Sequence, residues 1–181
     1  MNTLPASYTT NEDTAFKLSG LSVADVDAGA GTISVTLTVG SGTLTAAAAG
    51  SVTVSGSGTS SIVLTGTLAN INTYLATVAN QPTYTPVANA NGTVTLTMLT
   101  NDGGNTGTGG ALSDSDTINI NITAVNDAPV LSGTAPTSVN VSGGVLVSSF
   151  LSSTDVDSGA LKGIAITAAT RTNGSTGKWQ Y

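Results

Sequence analysis

The chain has 181 residues, with ten acids against four bases and a formal net charge of −6. That balance excludes the basic footprint nucleic acid requires and disfavours an anionic membrane surface. With neither Cys nor His in the sequence, disulfides, Cys/His zinc sites and His-based triads are excluded.

Charged residues make up only 8% of the chain, and the mean hydropathy is +0.24. Thr, Ser, Asn and Gly therefore supply most of the polar surface, unlike a charge-rich disordered tail. Aromatics are 4%, so the core is expected to be built from Val, Ile, Leu and Ala. No apolar run approaches the ~20 residues of a membrane span. Met1–Pro5 lacks the basic and apolar regions of a signal peptide. Export by another signal, or membership of a longer protein, is the expectation.

In chain order, Glu12 and Asp13 are expected to precede the first strand, and Asp25 and Asp27 to follow it. Ile33, Val35, Leu37 and Val39 alternate with Ser34, Thr36 and Thr38, the period of a half-buried strand. Val52 and Val54, then Ile62 and Leu64, repeat the pattern in shorter form. Leu68, Ile71, Leu75 and Val78 fall at helical spacing, with Thr67 as cap and Pro82 as terminator. Val94, Leu96 and Met98 restart the two-residue alternation after the Asn91-Gly92 turn. Asn101 to Gly110 reads as a Gly/Asn loop, opened by Asp102 and closed by Asp114 and Asp116, which are expected to be ordinary loop formers. Ile118, Ile120 and Ile122 form the last strand of the first module. Asn126-Asp127-Ala128-Pro129 is a natural junction, since Pro129 lacks a ladder donor and biases the preceding residue to extended backbone. Alternation resumes at Val139 and Val141, Val145 and Val147, and Ile164 and Ile166.

About seven short strands with regular turn signals predict an all-β fold, a β-sandwich with Greek-key connections. The expected organisation is a complete module over 1–125, a linker over 126–129, and the start of a second module over 130–181. About 50 residues is short of the ~100 of a sandwich, so the second module is expected to be incomplete.

One frame occurs twice, 130 residues apart: Leu21-Ser22-Val23-Ala24-Asp25-Val26-Asp27-Ala28-Gly29 and Leu151-Ser152-Ser153-Thr154-Asp155-Val156-Asp157-Ser158-Gly159. Each copy sets two carboxylates two residues apart before a Gly. Calcium takes six to eight oxygens, and carboxylates so spaced on an extended loop can share one ion. An Asx-turn is the plainer use of the same residues. Duplication beside an acidic junction favours Ca²⁺ as cofactor.

Together, Asn11-Glu12-Asp13, Asp25-Val26-Asp27 and Asn126-Asp127-Ala128-Pro129 on a sandwich pattern resemble the cadherin-like tandem repeats of large bacterial surface adhesins. The resemblance covers residues from about 9 to 129, with Leu161–Ile166 and Gly177–Tyr181 looking like pieces of a following module. It implies an immunoglobulin/cadherin-like fold and an extracellular, secreted or cell-surface location. It also implies calcium held between modules. Carried over, the junction site comprises Glu12, Asp102, Asn126, Asp127, Asp155 and Asp157, while Asp25 and Asp27 form a half-site shared with a preceding module. On its own that half-site is expected to bind calcium weakly or not at all. Animal cadherins carry an Asp two residues before the linker Asn, where this chain has Ala124.

The expected function is that of a calcium-rigidified spacer or adhesion module. Its partners are neighbouring modules of the same chain and, through other domains, a host or surface ligand; nucleic acid and direct membrane insertion are not expected. The alternative is a ligand-binding sandwich that recognises glycan or ice through the outward Thr36, Thr38, Thr93, Thr95 and Thr97. An enzyme is not expected: Asp25 and Asp27 are neighbours on one loop, and no nucleophile–base pair accompanies them. The sequons at Asn91, Asn121 and Asn173 are expected to be chance matches.

Overall fold

A computed structural model of the chain describes residues 1–105, 110–133 and 151–160. The chain divides into two compact units, Met1–Val125 and Asn126–Tyr181. The expected alternations at 139–147 and 164–166, and the segments 161–166 and 177–181, lie outside the described residues.

The first unit is all-β apart from one short helix. Its strands are β1 (Asn2–Thr3), β2 (Ser7–Asn11), β3 (Phe16–Lys17), β4 (Ser22–Val23), β5 (Thr32–Val39), β6 (Thr43–Thr45), β7 (Thr53–Ser55), β8 (Ser61–Thr67), β9 (Thr83–Thr85), β10 (Gly92–Asn101) and β11 (Ser113–Thr123). A six-stranded sheet runs in the order β2-β11-β10-β5-β8-β7, and a three-stranded sheet in the order β3-β9-β6. All pairings in the larger sheet are antiparallel except β2 with β11. Glu12 and Asp13 thus follow two strands instead of preceding the first. The missed strands are two and five residues long, and only Tyr8 and Thr10 of β2 are buried, too few to show a hydrophobic period.

The alternating residues behave as their spacing requires. Ile33, Val35, Leu37 and Val39 of β5, Ile62 and Leu64 of β8, Leu96 and Met98 of β10, and Ile120 and Ile122 of β11 are all buried in one core. Leu44 and Tyr84 of the smaller sheet join the same core, so the two sheets pack as layers around it. At ~25 cal/mol per Å², burial of each such side chain contributes about 1.5–3 kcal/mol. Few as they are, the aromatics are central to it: Tyr74 and Tyr84 are among the largest fully buried side chains. Phe16 packs against Tyr8 in a tilted arrangement and against Tyr84 edge to face, at centroid distances of 5.3 and 5.8 Å. A core of Val, Ile, Leu and Ala alone is therefore too narrow a description.

The helix α1 (Leu68–Ala76) starts where Thr67 caps it, its hydroxyl accepting from the Asn70 N–H at 3.3 Å. Ile71, Tyr74 and Leu75 bury one face. The helix stops well before Pro82. The Thr77 N–H bonds back to Thr73 and Tyr74, and the carbonyl of Thr77 then accepts from Asn80 and Gln81. Val78 falls beyond the helix and is exposed.

Helix and strand cooperate to hold the Asp25 loop. Asn72 on α1 accepts from the Val23 N–H and donates to the Val23 carbonyl, both at 2.9 Å. A side-chain amide thus gives β4 the pairing a strand would give. In the second unit, β12 (Val130–Gly133) and β13 (Leu151–Thr154) form an antiparallel pair, with Val130 opposite Thr154 and Gly133 opposite Leu151.

Candidate acidic sites at the strand ends

All ten acids lie in the described residues, whereas only one of the four bases, Lys17, does. Lys17 is committed: its ammonium donates to the carbonyls of Ala79 at 3.1 Å and Gln81 at 3.3 Å.

Glu12 follows β2, and its own N–H continues the pairing by donating to the Thr123 carbonyl at 2.9 Å. Its side chain is only 4% exposed. Oε1 accepts from the Val125 N–H at 2.6 Å, and Oε2 from the Asn91 amide at 3.4 Å. A buried carboxylate costs stability unless its charge is compensated. Next to it, Asp13 Oδ1 accepts from the Asn89 N–H at 2.9 Å.

Asp102 sits elsewhere. It follows β10, and its Oδ1 accepts from the N–H groups of Gly104 and Leu112, each at 2.8 Å. Glu12 is bonded to Asn91, just before β10 begins. Ten residues of strand at ~3.3 Å each set the two acids ~30 Å apart. Asp102 therefore cannot share an ion with Glu12, which corrects the junction set drawn from the resemblance. Its neighbours are Asp25 and Asp27: with Asp114, Thr100 and Leu112 they line one shallow cleft of about 350 Å³.

Within that cleft Asp25 Oδ1 accepts from the N–H groups of Asp27 at 3.1 Å and Ala28 at 3.2 Å. The two carboxyls also bond to each other. That bond, with the Asp27 N–H and then the Ala28 N–H, pulls Asp25 below the usual carboxylate range. The bond to Asp25, then the negative charge of Asp25 and, more weakly, that of Asp102, push Asp27 above it. Asp114 and Asp116 are not loop residues but lie inside β11. Asp114 Oδ2 accepts from the Asn2 N–H at 2.6 Å.

The second unit repeats the turn. Asp155 Oδ1 accepts from the Asp157 N–H at 3.0 Å, matching the Asp25–Asp27 bond. The left-handed Gly29 and Gly159 follow at φ 53° and 79°. The first acid of each pair is thus a turn former, with a metal or without one. The second acid of this copy reaches outward: Asp157 Oδ2 accepts from the Asp127 N–H at 2.7 Å. Asn126 donates its amide to the Asp127 carbonyl at 3.0 Å.

Carboxylate and carbonyl oxygens are the hard donors calcium takes; each unit by itself offers such oxygens, the first at Glu12 and the second at Asn126, Asp127, Asp155 and Asp157. Two contributors, Asn91 at Glu12 and Asp114 in the cleft, were read from the sequence only as turn or loop formers. Asn91 was legible only as a turn residue. Asp114 and Asp116 continue the parity of Ile118, Ile120 and Ile122, which was the available signal that they belong to the strand. Comparison of the chain with protein families, with curated proteins and with solved structures finds no match.

Proposed function

We propose that the chain is a calcium-rigidified extracellular spacer of a bacterial surface or secreted adhesin, built of cadherin-like Greek-key modules. Calcium binds at Asn126–Pro129, with Glu12 contributed by the first unit and Asn126, Asp127, Asp155 and Asp157 by the second. Asp25 and Asp27, joined by Asp102, belong to the other end of the first unit and face a preceding module.

One observation carries the reading: each unit independently ties a carboxylate to the same short stretch of chain. Glu12 is bonded to the N–H of Val125, the last residue of the first unit, and Asp157 to the N–H of Asp127, the second residue of the next. A divalent cation balances carboxylates gathered along one stretch of chain. Without it, carboxylates gathered at the linker repel and the linker flexes. With it, ligands from two units and the linker fix the angle, and binding stabilises the native state by mass action.

Small-angle scattering on the whole chain, in calcium and then in chelator, tests this. The account expects a narrower distribution of interdomain distances in calcium and a loss of that change in Asp155→Ala. Identical curves in both conditions contradict it.

A second reading draws on the outer face of the six-stranded sheet. Its outward positions, among them Thr36, Thr38, Thr93, Thr95, Asn119 and Asn121, include no ionisable side chain. A neutral glycan is the ligand such a hydroxyl and amide array suits. Thr is also simply a good residue for the wet face of a strand, so the spacer reading stands first.

A further inference from the structure

A sheet ends in strands whose outer backbone groups have no neighbour, and such an edge pairs with another chain unless it is blunted. The first unit blunts most of its edges. At one side of the larger sheet, β7 is three residues long. In the smaller sheet β3 has two residues, one of them the charged Lys17. The edge of β6 is covered: the Leu44 N–H donates to the Thr59 carbonyl at 2.7 Å, and the Leu44 carbonyl accepts from the Gly58 N–H at 2.8 Å. The exception is β2. Its five residues, Ser7-Tyr8-Thr9-Thr10-Asn11, hold no charge and no proline, and β11 is its one neighbour in the sheet among the described residues.

The pairing with β11 fixes which groups of β2 are left over. The Glu12 N–H reaches the Thr123 carbonyl of β11, and backbone groups alternate sides along a strand. Tyr8 and Thr10 therefore turn theirs to β11, while Ser7, Thr9 and Asn11 turn theirs outward. All three of these residues are exposed. Among the described residues the outward groups of Ser7 and Thr9 and the Asn11 N–H meet no further backbone partner, whereas the Asn11 carbonyl accepts from the Thr14 N–H at 3.4 Å. We infer that this edge pairs with β2 of a second copy of the chain, antiparallel about a two-fold axis at Thr9, and joins two six-stranded sheets into one.

Register and charge favour a second copy over a foreign strand. Centred on Thr9, the pairing sets Thr9 opposite Thr9, Ser7 opposite Asn11 and Tyr8 opposite Thr10. The two Thr9 residues exchange N–H to carbonyl bonds, and each Asn11 N–H reaches a Ser7 carbonyl. Glu12 falls opposite Ala6, and Asp13 opposite Pro5. No acid then faces an acid, although the chain carries a net charge of −6. Like charges directly opposite one another destabilise a strand pair, and β2 lets this acidic chain meet itself without them. A closed two-fold pair uses both β2 edges and stops at the dimer. An edge of five residues falls short of the ~800 Å² per partner of a standard interface, so the dimer is weak. The inference is independent of calcium binding.

The test is sedimentation equilibrium on the full chain in chelator, from about 10 μM to about 1 mM, the range of a weak interface. Wild type is run beside Thr9→Lys, Thr9→Glu and an equal mixture of the two variants, with a melting curve for each. Thr9 is exposed, so both substitutions are compatible with folding. The inference expects a wild-type dimer that grows with concentration. Each variant alone associates several-fold more weakly, because position 9 faces itself and brings like charges together. The mixture recovers the dimer, because the introduced charges are then opposite. Four results overturn the inference: a wild type that stays monomeric throughout, whatever extended peptide its edge captures; wild-type association in Thr9→Lys, which places the contact elsewhere; a mixture no stronger than its components, which excludes the two-fold register; and growth beyond the dimer, which excludes a closed pair.

Discussion

At the scale of single residues, buried polar groups show where this fold spends stability. The Tyr84 hydroxyl is buried and has no hydrogen-bond partner among the described residues. The other buried phenols are served, Tyr8 by the Ser19 carbonyl at 2.5 Å and Tyr74 by that of Ala47 at 2.8 Å. An unsatisfied buried hydroxyl costs ~1–3 kcal/mol. Tyr84→Phe is therefore expected to stabilise the first unit by about 1 kcal/mol, read as a higher denaturant midpoint; a lower midpoint contradicts the assignment. The ring itself is indispensable to its surroundings. A Cβ at Gly42, where φ is +82°, would lie 2.8 Å from the Tyr84 ring and 2.5 Å from the Thr85 carbonyl, so this turn admits glycine alone. The Asp25–Asp27 pair makes a separate prediction. Its protons leave in two steps, one below and one above the ordinary carboxylate range. For Asp27, whose folded pKa is raised, the folded state holds its proton longer than the unfolded chain. Its contribution to stability falls as pH rises through that upper step; the lowered Asp25 contributes the opposite way, and its share is lost as pH falls through the lower step. In carboxyl NMR titrations, Asp25→Asn is expected to bring the Asp27 midpoint down. An unchanged midpoint contradicts the coupling.

At the scale of elements, legibility followed the number of turns or pleats that repeat a period. Ile33 to Val39 gives four buried positions in register, enough to define β5; Ser22–Val23 gives one buried position, and β4 is stabilised by an amide from α1 that no local pattern announces. The helix was legible from its cap and its apolar stripe, but not its end. Thr77 closes it through backbone bonds, and Pro82 lies beyond a further turn. Asn72 carries the tertiary half of this story. Asn72→Leu leaves the Val23 N–H and carbonyl without their partner, at a cost of about 2 kcal/mol. Because β4 leads directly into Asp25, that variant is also expected to raise amide exchange at Val23 and Ala24. Protection at wild-type level contradicts the pairing role.

At the scale of the whole molecule, the repeated frame at Asp25 and Asp155 was visible at once, since identical spacing needs no structure to recognise. What was not legible was the end of the unit to which each acid belongs. Asp102 precedes β11, and Asn126 follows it, so an eleven-residue strand separates them. The Ile118–Ile122 alternation held that information, but acids at strand ends look alike until strand direction is followed through. The corrected distribution divides the acids by end: Glu12 with the chain leading to the linker, and Asp25, Asp27, Asp102 and Asp114 with the opposite cleft. In the first unit, then, acids gather at both ends of the sheet.

Calorimetric titration of the full chain with calcium, wild type beside a Glu12→Gln, Asp157→Asn double variant, tests the central claim most directly. The account predicts heat of binding in the wild type and loss of the linker component in the double variant, with any weak binding at the Asp25 cleft unaffected. An absence of heat in the wild type, or an isotherm unchanged by the two substitutions, contradicts it.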